Sequence, residues 1–285
     1  MIKVKNKKIV YSIIVVFGLL NIVLWPAVFK SDKNLTAYFF DIGQGDASYF
    51  RTVDSQDVLI DGGPSSKILE KLGKVMPYYD KNIELMILSH SHADHIDGLV
   101  DVLKRYDVGE VLYFVTKDDY AGYSEFKRII KEKNILEKNV KAGDEISIGQ
   151  TKIKILAPIN YTEGEDQNDS SVVLRLIYGQ NSIMMTGDAG VKNEKEILTS
   201  NVDLKSDVLK VGHHGSKYSS SMDFLKAVAP NYGIIMVGLK NVYHHPGQIT
   251  LDNLNNLGIK VLRTDLDKDI RCLSDGIKIE CDKIK

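Results

Sequence analysis

Residues 84 to 99 read Glu-Leu-Met-Ile-Leu-Ser-His-Ser-His-Ala-Asp-His-Ile-Asp-Gly-Leu. The apolar run Leu85–Leu88 predicts a short buried strand, and helical spacing begins near Asp94. Between them stand His90, His92, Asp94 and His95, four metal-capable side chains within six residues. At a strand-to-helix turn they can converge on one small volume. Imidazole and carboxylate suit zinc, manganese or iron, and two such ions close together make a hydrolytic site.

Upstream, Tyr38-Phe39-Phe40, Ala47–Arg51 and Val58-Leu59-Ile60 read as strands. Their turns carry Asp41-Ile42-Gly43-Gln44-Gly45-Asp46 and Asp61-Gly62-Gly63-Pro64. The first is glycine-rich but lacks the Lys-Ser/Thr of a phosphate loop and the spacing of a dinucleotide fingerprint. Downstream, residues 65–76, 95–106 and 120–134 have helical spacing, and 109–115 and 144–157 read as strands. Val172–Ile177 and Ser182–Met185 make strands around a Gly179-Gln180 turn. From about residue 190 helix and strand alternate, ending in a hairpin that holds both cysteines, Cys272 and Cys281. A two-residue turn at Asp275-Gly276 would pair Cys272 with Ile279 and leave Cys281 diagonal to it, so a disulfide is allowed but not implied.

All seven histidines fall in three blocks, His90/92/95, His213/214 and His244/245, each near the end of an apolar run or the start of a helix. Asp188 follows the apolar strand Ile183–Met185 through Thr186-Gly187.

Asp-x-Gly-Gln-Gly-Asp, Leu-Ile-Asp-Gly-Gly and Ser-His-x-His-x-Asp-His together resemble the metallo-β-lactamase-like domain of the ComEC/Rec2 competence proteins. The resemblance implies an α/β fold, a four-layer αβ/βα metallo-β-lactamase sandwich over residues 36–285. It implies two divalent ions, Zn²⁺ or Mn²⁺, with Asp188 bridging them. His90, His92 and Asp188 would hold one ion, and Asp94, His95, Asp188 and one of His213 and His214 the other. The residues leave that last choice open; His213 is taken as ligand and His214 as a pocket residue. His245, before Pro246, would act on the substrate side by stabilising a phosphoryl oxygen or protonating a leaving group. Asp94 and His214 complete the expected catalytic group. Asp41 and Asp61 would orient ligating histidines through hydrogen bonds.

One departure from the common two-zinc pattern is that no histidine lies between His95 and His213. Asn168-Asp169-Ser170-Ser171 stands in that region, similar to the Asn-x-Ser of the competence family, with Asn168 and Ser170 beside the ligands. Poorer nitrogen ligation makes manganese a rival to zinc.

The composition, 44% hydrophobic and 26% charged, is that of a globular chain with a core. The N-terminus differs: Lys3, Lys5, Lys7 and Lys8 precede Ile9–Phe29, an uncharged run long enough to span a bilayer. Ala27-Val28-Phe29 is a poor cleavage site, so residues 1–30 are expected to be an uncleaved signal anchor, with 31–35 a linker. The lysines then stay in the cytoplasm and the hydrolase domain lies outside it. Beyond residue 30, 32 basic groups face 38 acidic ones, a net charge of −6, with no basic stripe for long nucleic acid. The expected activity is phosphodiester hydrolysis, DNA included, by a hydroxide held between the two metals. The alternatives are a non-catalytic metal- or DNA-binding module of a surface complex, or an ester or amide hydrolase on the same fold.

Overall fold

The computed structural model describes residues 11–19 and 34–284, and the chain divides into two compact units, 1–33 and 34–285. In the first unit, residues 11–19 are helical. Most of the expected membrane anchor lies outside the described residues. Among the described residues no helix is long and apolar enough to cross a membrane.

The second unit begins with a strand-rich half comprising β1 (Leu35–Phe39), β2 (Ser48–Arg51), β3 (Asp57–Ile60), β4 (Asn82–Ile87), β5 (Asp107–Tyr113) and β6 (Leu136–Asn139). Then follow β7 (Glu145–Ile148), β8 (Thr151–Ala157), β9 (Val173–Tyr178), β10 (Asn181–Met185), β11 (Val208–Lys210), β12 (Tyr232–Ile235) and β13 (Lys260–Arg263). The closing hairpin is β14 (Ile270–Ser274) and β15 (Ile279–Lys283). One sheet has the order β15-β14-β1-β2-β3-β4-β5-β6, the other β13-β12-β11-β10-β9-β8-β7. Strands β3 to β6 run parallel, as do β10 to β13.

Burial on both faces explains why these parallel strands read as apolar runs. Along β4 and just after it, Leu85 and Ile87 point into the layer between the sheets, while Met86 and Leu88 point to the helical side. The inner layer joins Phe39, Phe50 and Val58 to Ile153, Leu174 and Ile183 of the second sheet. Outside, Ile96, Leu99 and Leu103 of the helix Ala93–Arg105 lie at the spacing of one helical face and pack on the first sheet. Leu225, Val228 and Leu254 pack on the second. Helix, sheet, sheet, helix is the expected four-layer order.

Elements without an apolar period of their own escaped the sequence. All four side chains of β6 are exposed, so it carries no apolar alternation; its ladder with β5 makes it a strand. The helix Thr264–Asp267 is a single turn. The closing hairpin also corrects the expected register. Asp275 Oδ1 accepts from Ile277 N (2.8 Å) and Lys278 N (2.7 Å), which makes a four-residue turn pairing Ser274 with Ile279. Cys272 then faces Cys281 directly, and the two form a disulfide.

Candidate metal centre

The histidine-rich turn between β4 and the helix Ala93–Arg105 is clasped by two glycine loops. After β1, Asp46 N donates to Asp94 O (3.1 Å), and a Cβ on Gly45 would stand 2.2 Å from that same oxygen. After β3, Gly62 N donates to His95 O (2.8 Å) and Gly98 N to Gly63 O (2.8 Å). A Cβ on Gly98 would meet Gly62 O at 1.9 Å. These contacts explain the glycine-rich turns: the backbone must touch the first turn of the metal-site helix.

Asp61, itself left-handed at φ 58°, sits under the cluster. Its Oδ1 accepts from Ser89 N (2.8 Å), and its Oδ2 lies 2.7 Å from Ser89 Oγ and 2.9 Å from His95 Nδ1. That partner turns His95 Nε2 toward Asp188 Oδ1, 3.4 Å away. His90 is within 3.1 Å of Ser89 Oγ through Nδ1 and within 3.1 Å of His92 Nδ1 through Nε2. Asp188 is delivered by β10 and held by Ser171 Oγ, which accepts from its N–H (3.2 Å).

From the second sheet, the consecutive left-handed residues His213 and His214 (φ 48° and 52°) follow β11. His214 Nδ1 lies 2.9 Å from Met236 O, so Nε2 faces Asp94 Oδ2 and Asp188 Oδ2, each at 3.3 Å. His213 Nε2 is 3.8 Å from Asp188 Oδ2, and its side chain is 29% exposed against 2% for His214. The inward histidine is therefore His214, the reverse of the sequence expectation. Left-handed backbone at both positions sets the two rings in different directions.

His95 Nε2, His214 Nε2 and Asp188 Oδ1 are buried with no hydrogen-bond partner. Such orphans are rare in folded proteins, and here they flank one carboxylate, His95 Nε2 3.4 Å from Asp188 Oδ1 and His214 Nε2 3.3 Å from Asp188 Oδ2. The groups His90/His95/Asp188, Asp94/His95/His214 and Asp46/Asp188/His214 each bring ligand atoms within 4.8 Å of one another. His92, expected from the sequence as a ligand, belongs to none of these groups; it lines the cavity with Nδ1 3.1 Å from His90 Nε2. Imidazole nitrogens and carboxylate oxygens in this number fit divalent metal ions.

The electrostatics agree with that fit. Burial disfavours charge throughout, yet Asp188 with Asp61 holds His95 well above the ordinary histidine range, and Asp188 with Asp46 does the same for His214. Against its burial, Asp188 is held well below the carboxylate range by His214 and His95. The carboxylates demand positive charge, which a metal ion supplies while leaving the imidazoles neutral. Burial and His95 push His90 well down; burial lowers His213, and burial with His213 brings His245 to about 4.

A cavity of about 180 Å³ opens onto the cluster, lined by Gln44, His92, Asp94, Asn168, Asp188, His213, His214, Tyr243 and His245. Asn168 Oδ1 is buried there without a partner. The His245 ring stands 5.7 Å from that of His213. Ser170 does not reach the cluster: its Oγ donates to Gln167 O (2.6 Å), and Ser171 supports Asp188 instead. Asp41 does not orient a histidine either. Its carboxylate sits 3.8 Å from Lys67 and 3.5 Å from Lys268 at the surface, because the loop turns it outward.

The carboxylate of that turn which does enter the cluster is Asp46, which the sequence showed only as the end of the motif. It is 3% exposed, lies 3.2 Å from His214 Nδ1 and pairs with Lys210 Nζ. Lys210 is fully buried and also donates to Gly187 O (2.7 Å). Burial opposes its charge, but Asp46 and Asp188 hold it above the ordinary lysine range. A lysine inside an apolar strand was the available signal, since buried lysines are almost always paired.

The chain matches the Metallo-beta-lactamase superfamily over residues 41–238. It is 32% identical over 251 residues to ComE operon protein 3 of Bacillus subtilis, covering 81% of this chain and 32% of that protein. Against Recombination protein 2 of Haemophilus influenzae it is 30% identical over 262 residues, covering 90% and 31%. The chain thus spans about a third of these relatives' length. Among solved structures, the metallo-beta-lactamase fold protein YhfI from Bacillus subtilis superposes with a TM-score of 0.55 at 13% identity, covering 80% of this chain and 95% of that one. CmlA, a diiron beta-hydroxylase from Streptomyces venezuelae, gives 0.57 at 14%, covering 84% and 53%. These two likenesses concern the fold alone. With its sandwich, its histidine turn and its relatives of the ComEC/Rec2 competence type, the chain belongs to the metallo-β-lactamase superfamily.

Proposed function

We propose that the protein is a binuclear metal-dependent phosphodiesterase, anchored in the membrane by its N-terminal segment and acting outside the cytoplasm. The observation that carries the catalytic part is that His95 Nε2, His214 Nε2 and Asp188 Oδ1 are buried around one carboxylate without hydrogen-bond partners. His90, His92 and Asp188 would hold one ion, Asp94, His95, His214 and Asp188 the other, with Zn²⁺ or Mn²⁺ suited to the donors. Such ions supply Lewis acidity and make water nucleophilic at neutral pH.

The chain's own residues do the rest. Asp61 and the Met236 carbonyl hold the outer nitrogens of His95 and His214, aiming the inner ones. His213 and His245, both made less basic by burial, face the cavity and can donate a hydrogen bond to a phosphoryl oxygen or a leaving group. Asn168 adds an amide to the same wall. For the location, the support is the lysine-flanked apolar run Ile9–Phe29 and the Cys272–Cys281 disulfide, a bond that persists in oxidising compartments.

The test uses the full chain, stripped of metal and reloaded separately with Zn²⁺ and Mn²⁺. Bis-p-nitrophenyl phosphate, single-stranded DNA and p-nitrophenyl acetate serve as substrates, with Asp94→Ala as control. Metal-dependent diester cleavage absent from the control is expected. Tight binding of both ions without turnover would overturn the reading in favour of a non-catalytic module. Cleavage of the acetate alone would move it to ester hydrolysis.

A further inference from the structure

The loop between β12 and the helix Gln248–Asn256 forms one wall of the cavity, and it is tied down. Asn241 Nδ2 donates to Gly238 O (2.9 Å) and His245 O (2.8 Å), while its Oδ1 accepts from His245 N (2.8 Å). Gly247 N donates to Gly215 O (2.8 Å), joining this loop to the one that carries His213 and His214. On that fixed frame Leu239, Val242 and Tyr243 stand 65%, 80% and 64% exposed. Three large apolar side chains within five residues, beside a polar cavity, form a surface suited to a flat apolar ligand group.

Tyr243 lines the cavity itself. Its ring lies 5.8 Å from that of His245 and within 20° of parallel, and His245 in turn neighbours His213. A row of rings, stacked at Tyr243–His245 and edge-on at His245–His213, therefore leads from solvent to the histidine cluster, with Tyr243 64% exposed at its outer end. Lys240 on the same loop and Lys217 on the neighbouring one are exposed, and neither forms an ion pair among the described residues. Lys217 Nζ lies 5.0 Å from the ring of Tyr218, which is itself 68% exposed. Exposed aromatic faces interleaved with unpaired lysines are the combination that binds single-stranded nucleic acid. The same lysines would repel a quaternary ammonium group, whose recognition needs an aromatic cage without competing cations.

Resting on the phosphodiesterase reading, we propose that Tyr243 is the stacking platform for an unpaired nucleobase next to the scissile phosphate, with Lys217 and Lys240 contacting the flanking backbone. Tyr243 then favours a diester with an unpaired base beside the cleaved bond over a small aliphatic one. A base held in a duplex cannot offer its face to the ring.

Metal-loaded full-length protein is tested on an oligothymidylate, on the same oligonucleotide with abasic tetrahydrofuran units, and on glycerophosphocholine. Wild type is expected to favour the base-bearing strand by about 5- to 100-fold in kcat/KM. Tyr243→Ala is expected to bring that ratio close to one, and Tyr243→Phe to keep it. Equal cleavage of the two strands by wild type would overturn the platform while leaving the phosphodiesterase reading intact, as would a ratio that survives Tyr243→Ala. Preferred cleavage of glycerophosphocholine would overturn it in favour of a cationic headgroup. If wild type cleaves none of the three, the phosphodiesterase reading fails. Anisotropy of the labelled oligothymidylate then decides the platform: equal affinity of wild type and Tyr243→Ala overturns it, and weaker binding by the variant supports it.

Discussion

Two adjacent histidines face different ways at the cavity, because left-handed backbone at both turns one ring in and leaves the other at the wall. Non-glycine residues in that conformation are uncommon and gather where the surrounding structure enforces them. His214→Ala should lower the divalent-ion content per chain after dialysis. His213→Ala should keep that content and lower kcat by about 100-fold or more. Elemental analysis beside steady-state kinetics checks the pair, and the opposite pattern would reverse the assignment. Lys210 is the other decisive residue. With Lys210→Met, Asp46 is left buried without its cation, and the expected destabilisation is about 3–5 kcal/mol. Urea unfolding measures it, and Asp46→Asn combined with Lys210→Met should cost less than the sum of the single changes. An unchanged midpoint in the single variant would show that the ammonium does not hold Asp46.

At the scale of elements, the first turn of the helix Ala93–Arg105 is set by backbone contacts at Gly45, Gly62 and Gly98. Helix propensity alone would favour alanine at position 98 by about 1 kcal/mol. The contact with Gly62 O says the opposite, so Gly98→Ala should destabilise by about 1–3 kcal/mol and loosen metal binding. Gly73, in the helix Lys67–Val75, is the control, because a Cβ there meets nothing within 4 Å. Gly73→Ala should raise Tm. Thermal melts of both variants decide it: a rise in Tm at both positions would remove the close-approach argument. The edge strand β6 and the one-turn helix Thr264–Asp267 were not legible for the same reason. Neither has an apolar period of its own, and each depends on its neighbours.

Across the whole unit, the parallel strands of the two sheets bring their carboxyl ends to one rim. β3 leads into Asp61, β4 into the histidine turn, β10 into Asp188 and β11 into His213 and His214. Ligand sites in sheets of parallel strands form at such ends, where loops from several strands meet. The hairpin of β14 and β15 closes the first sheet at its far edge and is locked by Cys272–Cys281 across nine residues. Replacing both cysteines by alanine should lower stability by about 2–3 kcal/mol on the chain-entropy account. Urea titration tests this, and an unchanged midpoint would mean that the hairpin is held by its ladder alone.

The sequence by itself determined the layered α/β class and the place where metal-capable side chains gather. Apolar runs, helical periods and clustered histidines are local patterns, and they place His90, Asp94, His95, Asp61 and Asp188 near strand ends, where the structure brings them together. Tertiary structure decided what local pattern cannot carry. It turned His214 inward and left His213 at the wall, buried Asp46 and exposed Asp41 to lysines, and set Ser171 rather than Ser170 against Asp188; it also put Lys210 inside the cluster and Tyr243 on the cavity wall. Each choice depends on where one side chain points after a loop has packed against an element distant in the chain. Asp46 meets Lys210 and His214, and Tyr243 reaches the cavity, only once the two sheets have closed on each other.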